Sequence, residues 1–208
     1  MAEKTEGVYQ LVTIPLIYRM FQEFLGAKSA KRYFKQNYFN DLQNKRVLEV
    51  GCGPGSWYPN LSDCAAYVGM DWNKDHIERA SSLYASDRAE FVVGDVSTDL
   101  PLDTEKFDYV FAFGVLHHLD DTQANALLTA CQKVLGTSGK FVSIDPVYHE
   151  GQNFFSKWMC DRDSGQNIRT EAGYRTLALS IFENAETAIH TDRLRIPYSH
   201  CVMAISAQ

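Results

Sequence analysis

With 208 residues, 45% of them hydrophobic, the chain is long enough for one well-buried core and short for two independent domains. A formal net charge of −6 and a pI near 5.5 argue against a dedicated nucleic-acid binder, which carries a basic stripe to neutralise phosphates. Five cysteines, odd in number and never spaced as CxxC, give no disulfide framework or zinc ribbon and fit reduced thiols in a cytoplasmic protein.

In chain order, the polar, acidic opening "MAEKTEGVYQ" is unlike a signal peptide, and no apolar stretch reaches membrane-spanning length, so no membrane insertion is expected. Residues 8–37 read as helical, broken near Pro15, and are expected to cover the C-terminal edge of a sheet. Five β-rich runs follow, "RVLEV" (46–50), "AYVGM" (66–70), "EFVVG" (90–94), "FDYVFAF" (107–113) and "GKFVSID" (139–145). Helical patterns alternate with them: residues 73–86 open on a capping Asn, and residues 120–136 have an Asp start and a Gly stop. This alternation predicts an α/β fold with a mostly parallel sheet and helices on both faces, in a single domain over 1–208. The stretch 146–183 breaks the rhythm and is predicted to form a lid over the ligand crevice. Residues 185–194 and 199–206 supply two last strands.

The chemistry gathers first at "VLEVGCGPGSW" (47–57). A strand that turns on glycines brings backbone amides to a ligand at the C-terminal edge of the sheet. A dinucleotide loop places its third glycine where Ser56 stands, and Glu49, two residues before Gly51, would repel a pyrophosphate. A carboxylate there suits a cation, and S-adenosylmethionine offers an ammonium and a sulfonium without a phosphate. Asp71, twenty residues beyond Gly51, is placed to accept from both ribose hydroxyls, and Trp72 offers an aromatic face to adenine. Asp95 is a second strand-end acid for the adenine amine, with Val96 as an apolar contact.

The ordered set "VLEVGCGPG", "GMDWN", "VVGDVSTDLP", "FDYVFAFGVLHHLDD" and "KVLGTSGKFVSIDP" resembles class I S-adenosylmethionine-dependent methyltransferases, in particular the methyltransferase type 11 group, over about residues 46–146. The resemblance implies a Rossmann-like, seven-stranded sheet of order 3-2-1-4-5-7-6 with an antiparallel C-terminal hairpin. It also implies S-adenosylmethionine as cofactor, S-adenosylhomocysteine as product, and a cofactor site of Glu49, Gly51, Gly53, Asp71, Trp72, Asp95, Val96 and Phe113. Cys52 lies in the same loop and is assigned a packing role. The segments "FQEFLGAKSAKR", "DRDSGQNIRT" and "RIPYSHC" resemble bacterial members that occur with polysaccharide and natural-product genes.

Methyl transfer to a hydroxyl needs alignment and removal of a proton. His117 and His118 follow the fourth strand and are the candidate bases, with Asp145 on the next strand to orient one of them; shaping or capping the turn is the competing role for all three. Tyr18, Tyr148, His149, Arg162, Arg169, Tyr198 and His200 are candidates for the acceptor pocket, the arginines suiting a phosphate or carboxylate unless they are paired structurally. No HExxH or HxH spacing supports a metal, and Asp120 and Asp121 are explained by a helix start. The expected function is methyl transfer to a small molecule, most simply a hydroxyl of a sugar-like or secondary-metabolite acceptor, by a monomer or homodimer. Competing readings are C-methylation of a quinone-like acceptor, a silent S-adenosylmethionine binder and a nicotinamide oxidoreductase; the last leaves Glu49 and Asp95 unexplained.

Overall fold

The structure, a computed structural model, describes residues 26–95 and 105–207. Tyr18, Val96 and the predicted helical cover before residue 26 lie outside those residues. The rest of that cover forms helix α1 (Ala27–Tyr38), which buries Ala30 and Phe34.

The β-rich runs become β1 (Arg46–Val50), β2 (Ala66–Asp71), β3 (Ala89–Val93), β4 (Phe107–Phe113) and β5 (Leu135–Tyr148). Between them stand α2 (Tyr58–Leu61), α3 (Lys74–Tyr84) and α4 (Asp121–Val134). The Asn73 side chain caps α3 by accepting from the Asp75 and His76 amides, and Asp120 with Gln123 forms a capping box at α4. The predicted Gly stop of α4 is not used: the helix ends at Val134, and Gly136 is already inside β5. That strand also runs past its predicted end, through Pro146. By then β4 has finished, so on that side no ladder bond requires the N–H that proline lacks.

After β5 come α5 (Phe154–Cys160), a two-residue strand β6 (Arg169–Thr170), α6 (Glu171–Leu179), β7 (Glu186–His190) and β8 (His200–Ser206). The main sheet runs β3-β2-β1-β4-β5-β8-β7, parallel except where β8 enters antiparallel to β5 and β7. With β6 numbered separately this is the expected order, and the count becomes eight strands because β6 pairs with the end of β5. The segment 146–183 divides. Helix α6 sinks Tyr174, Leu177 and Ala178 into the same core as α4, so it is a core helix and not part of a lid. Residues 161–169 instead lie against the turn that follows β4, as described below.

Strand alternation builds two cores. Leu48, Val50, Val110 and Ala112 face α4 and α6, whereas Val47, Tyr67, Tyr109 and Phe111 face α1 and α3. All five cysteines are free and buried. No helix among the described residues is long and apolar enough to cross a membrane.

Candidate active site

Glu49 lies on the α1 face of β1 and is 1% exposed, so its carboxylate needs partners. The Tyr67 hydroxyl donates to its Oε2 at 2.5 Å. The residue paired with Glu49 on β2 is Gly69, where a Cβ would stand 3.0 Å from the Tyr67 ring; the missing side chain gives that ring its room. Burial pushes the Glu49 carboxyl up to about 7, against the pull of the Tyr67 hydrogen bond and the Lys31 charge. A carboxyl that ionises more easily unfolded than folded costs stability as pH rises from its unfolded value to its folded one. Wild type is therefore expected to lose up to about 3 kcal/mol relative to Glu49→Gln between pH 4.5 and 7, as read by urea unfolding of both chains across that range. A constant difference would mean that Glu49 ionises normally.

The loop after β1 places Gly51, Gly53 and Gly55 at φ +69°, +54° and +74°. A Cβ on Gly51 would stand 2.5 Å from Val115 Cγ2, whereas one on Gly53 would meet nothing within 4 Å. The loop is thus packed at its start and open at its middle, as a ligand cradle requires. Asp71 at the end of β2 fastens it. Its Oδ2 accepts from the Gly53 amide at 2.8 Å, and its Oδ1 from the Asn73 amide at 2.9 Å. Burial raises the Asp71 pKa, but His76 and these amides outweigh it and hold the carboxyl below the usual range. Trp72, 58% exposed, and the exposed Asp95 stand at the ends of neighbouring strands, joined where the Gly94 amide meets the Asp71 carbonyl. Cys52 is buried with its thiol turned to the Gly53 carbonyl of its own loop.

Two residues that sequence reasoning missed complete this half. Trp57 stacks on Phe113 at 4.1 Å, forming an aromatic wall across the ends of β1 and β4. Lys31 reaches from α1 to the Ser56 carbonyl at 2.7 Å and lies 5.0 Å over the Trp57 ring. Burial lowers its pKa to about 8, opposed by Glu49, so it remains cationic at neutral pH. The only sequence signal for it is a lysine on the otherwise buried-facing side of an amphipathic helix.

On the other side of β4, the predicted pair Asp145 and His117 meets. His117 Nδ1 is 2.9 Å from Asp145 Oδ1, and the His117 amide donates to the same oxygen. A third group, Asp163, was not among the predicted residues. Its Oδ1 lies 3.3 Å from His117 Nε2, while its Oδ2 accepts from Tyr198 at 2.8 Å. Burial alone would lower the imidazole's pKa, but the two carboxylates hold it at about 9. With both nitrogens engaged, His117 offers no lone pair to an acceptor, which departs from its expected role as base. His118 is half-buried and packs against His117 with ring centroids 4.1 Å apart.

The remaining candidates separate. Tyr148 donates to Asp161, and His149 Nε2 is 3.0 Å from Ser199; both line a cavity of about 670 Å³ with Lys157, Glu171 and Ile189. Arg162 lies 4.4 Å over Trp158. Arg169 is a clamp: its guanidinium donates to the Leu116, Leu119 and Asn167 carbonyls and to Asp121, so it has no fork left for an acceptor anion. Tyr198 is committed to Asp163, and His200 Nδ1 is buried without a hydrogen-bond partner among the described residues.

Residues 47–139 match a family model described as "Methyltransferase domain". A fatty-acid O-methyltransferase of Mycolicibacterium smegmatis is 35% identical over 108 residues, 50% of this chain and 38% of that relative, so the chain spans well under two thirds of its length. Among solved structures, the pyocyanin biosynthetic protein PhzM superposes with a TM-score of 0.73 at 18% identity, over 98% of this chain and 62% of that one. The magnesium protoporphyrin IX methyltransferase of Synechocystis PCC 6803, solved with bound SAH, gives 0.65 at 17% identity, over 100% and 90%. At these identities the superpositions speak for the fold.

Proposed function

We propose that this chain, whose residues 47–139 match a methyltransferase-domain model, is a class I S-adenosylmethionine-dependent methyltransferase that transfers the cofactor's methyl group to a small-molecule acceptor, a hydroxyl on a sugar-like or secondary-metabolite compound. The observation that carries the reading is the pair of buried carboxylates, Glu49 and Asp71, at adjacent strand ends around the open middle of the glycine loop. Asp71, held ionised by its amide partners, repels a pyrophosphate, and the buried Glu49, raised to about 7, is drawn to its charged form by a cationic cofactor. Asp71 takes the ribose hydroxyls, Trp72 and Asp95 the adenine, Glu49 the cationic end, and Lys31 the carboxylate of the methionine moiety. Trp57 and Phe113 wall off water near the sulfonium.

The acceptor enters beside β4 and β5, where an in-line displacement needs its nucleophilic atom aligned with the methyl group. The accessible edge of the cluster, His118 and Asp163, receives the hydroxyl's proton, and Asp145 with His117 holds the turn that presents it. Tyr148 and His149 line the outer part of the acceptor path. The engagement of both His117 nitrogens favours one further reading, transfer to a carbon acceptor that needs no strong base. The protein works in this reading as a cytoplasmic monomer or homodimer without nucleic acid.

Calorimetric titration with S-adenosylmethionine, S-adenosylhomocysteine and NAD decides the cofactor. Micromolar binding of the first two, one per chain, and none of NAD is the expected result. Binding of NAD alone would sink the reading, and product analysis with hydroxylated acceptors then separates O- from C-methylation.

A further inference from the structure

The cluster beside β4 has features that an ordinary hydrogen-bonded histidine does not require. One ligand atom from each of His117, His118 and Asp163 lies within 4.8 Å of the other two. His117 Nε2 stands 3.3 Å from Asp163 Oδ1, appreciably farther than the 2.9 Å that joins Nδ1 to Asp145. Two ligand atoms held by one ion at about 2.1 Å each, at a tetrahedral or octahedral angle, are about 3.0–3.4 Å apart, so this separation matches an edge of a coordination polyhedron. Asp145 completes the pattern from behind: a ligating imidazole usually donates its other N–H to a carboxylate, which fixes the tautomer and leaves Nε2 for the ion. Asp163 is likewise aimed, accepting from Tyr198 on one oxygen and from the Gly165 amide on the other.

The charges point the same way. Asp145 and Asp163 set two carboxylates around one imidazole, and among the described residues Asp145 Oδ2 is buried with no hydrogen-bond donor. A divalent ion between Nε2 and Asp163 would balance these two carboxylates, any proton on Nε2 passing to solvent. Asp163 and His118 are only partly buried, so the ion has a route in.

We infer that His117, His118 and Asp163 bind one divalent first-row transition-metal ion at the acceptor side of the site. Two imidazoles and one carboxylate select zinc, cobalt, nickel, manganese or iron over calcium and magnesium, which prefer all-oxygen sites. The inference rests on the acceptor side of the function proposed above and changes one step of it: with His118 and Asp163 holding the ion, the open coordination positions would bind the acceptor oxygen and make its proton easier to lose, and that proton would leave to solvent instead of to those two side chains. It replaces the metal-free site that the histidine spacing suggests, since Asp163 joins the adjacent histidines only through the fold.

The test uses the full chain, stripped with a chelator and titrated with zinc and cobalt(II) ions by calorimetry, with the cobalt form also followed by visible absorption. The expected result is one ion per chain at micromolar or tighter affinity. His118→Gln and Asp163→Asn should each weaken binding at least about tenfold, while His190→Gln, on β7, should not. Wild type that takes up no ion, or two variants that bind as well as wild type, would overturn the site. If Asp163→Asn does not fold, the partly exposed His118 variant and the wild-type titration still decide. Titrating the same preparations with S-adenosylmethionine keeps the two proposals apart, since a chain that binds cofactor but no ion loses only the metal site.

Discussion

Replacing Asp71 with alanine is expected to lower the affinity for S-adenosylmethionine by ten- to a hundredfold. Both of its oxygens already serve the loop, one on the Gly53 amide and one on the Asn73 amide, and each retains a lone pair for a ribose hydroxyl. Alanine leaves two backbone amides and the ribose without their acceptor in a buried place, and each hydrogen bond left unmade there costs about 1–3 kcal/mol. Part of the loss falls on the protein itself, because α3 begins at the same junction. Asp71→Asn separates the shares, since it keeps one carbonyl acceptor and removes the charge. Calorimetry for the cofactor and thermal unfolding for the chain are read together. A lowered unfolding temperature with unchanged affinity would mean that Asp71 only staples the loop and that the ribose binds elsewhere.

Gly165→Ala is expected to be the most disruptive glycine-to-alanine change among the described residues, costing about 3 kcal/mol in urea unfolding and most of the turnover. A Cβ on Gly165 would stand 2.0 Å from His117 Cδ2 and 2.8 Å from the His117 carbonyl oxygen. The backbone there is not left-handed, so the penalty is purely steric. The ring cannot step aside either, being held by Asp145 on one nitrogen and facing Asp163 on the other. The cover must lift instead. It would give up the bond from the Asn167 amide to the His117 carbonyl and the Tyr198 link to Asp163. Cofactor binding should survive, because the glycine loop lies on the far side of β4. Wild-type stability in this variant would show that residues 161–169 are not docked as described.

Much of the fold was legible because its signals are local. The β-rich run of β4, the Asn73 and Asp120 caps and the glycines after β1 each depend on a few neighbouring residues, and each appears where expected. The extent of β5 was not legible, since Gly136 reads as a helix stop until the pairing of Leu135 with Phe107 on β4 shows that the strand has already begun. The same holds for α6: an aromatic and charged stretch does not reveal whether Tyr174 turns inward. Within the site, the strand-end acids could be placed by counting from the glycines. Lys31 and Asp163 could not, because one acts across a helix-to-loop contact and the other across a folded segment far along the chain. Arg169 shows the opposite error, in which a residue suited to anions is consumed by three carbonyls and one local carboxylate.

The five buried thiols also turn the chain into its own opening gauge. An alkylating reagent reaches a buried sulfur only when the surrounding structure opens, at a rate set by the free energy of that opening. Here the sulfurs are distributed: Cys52 in the glycine loop, Cys64 before β2, Cys131 within α4, Cys160 at the end of α5 and Cys201 in the antiparallel strand β8. The order in which they are modified therefore maps regional breathing without introducing any probe. Cys160 reports on α5 and Cys131 on the core of the molecule, so the interval between them measures how independently the acceptor side moves.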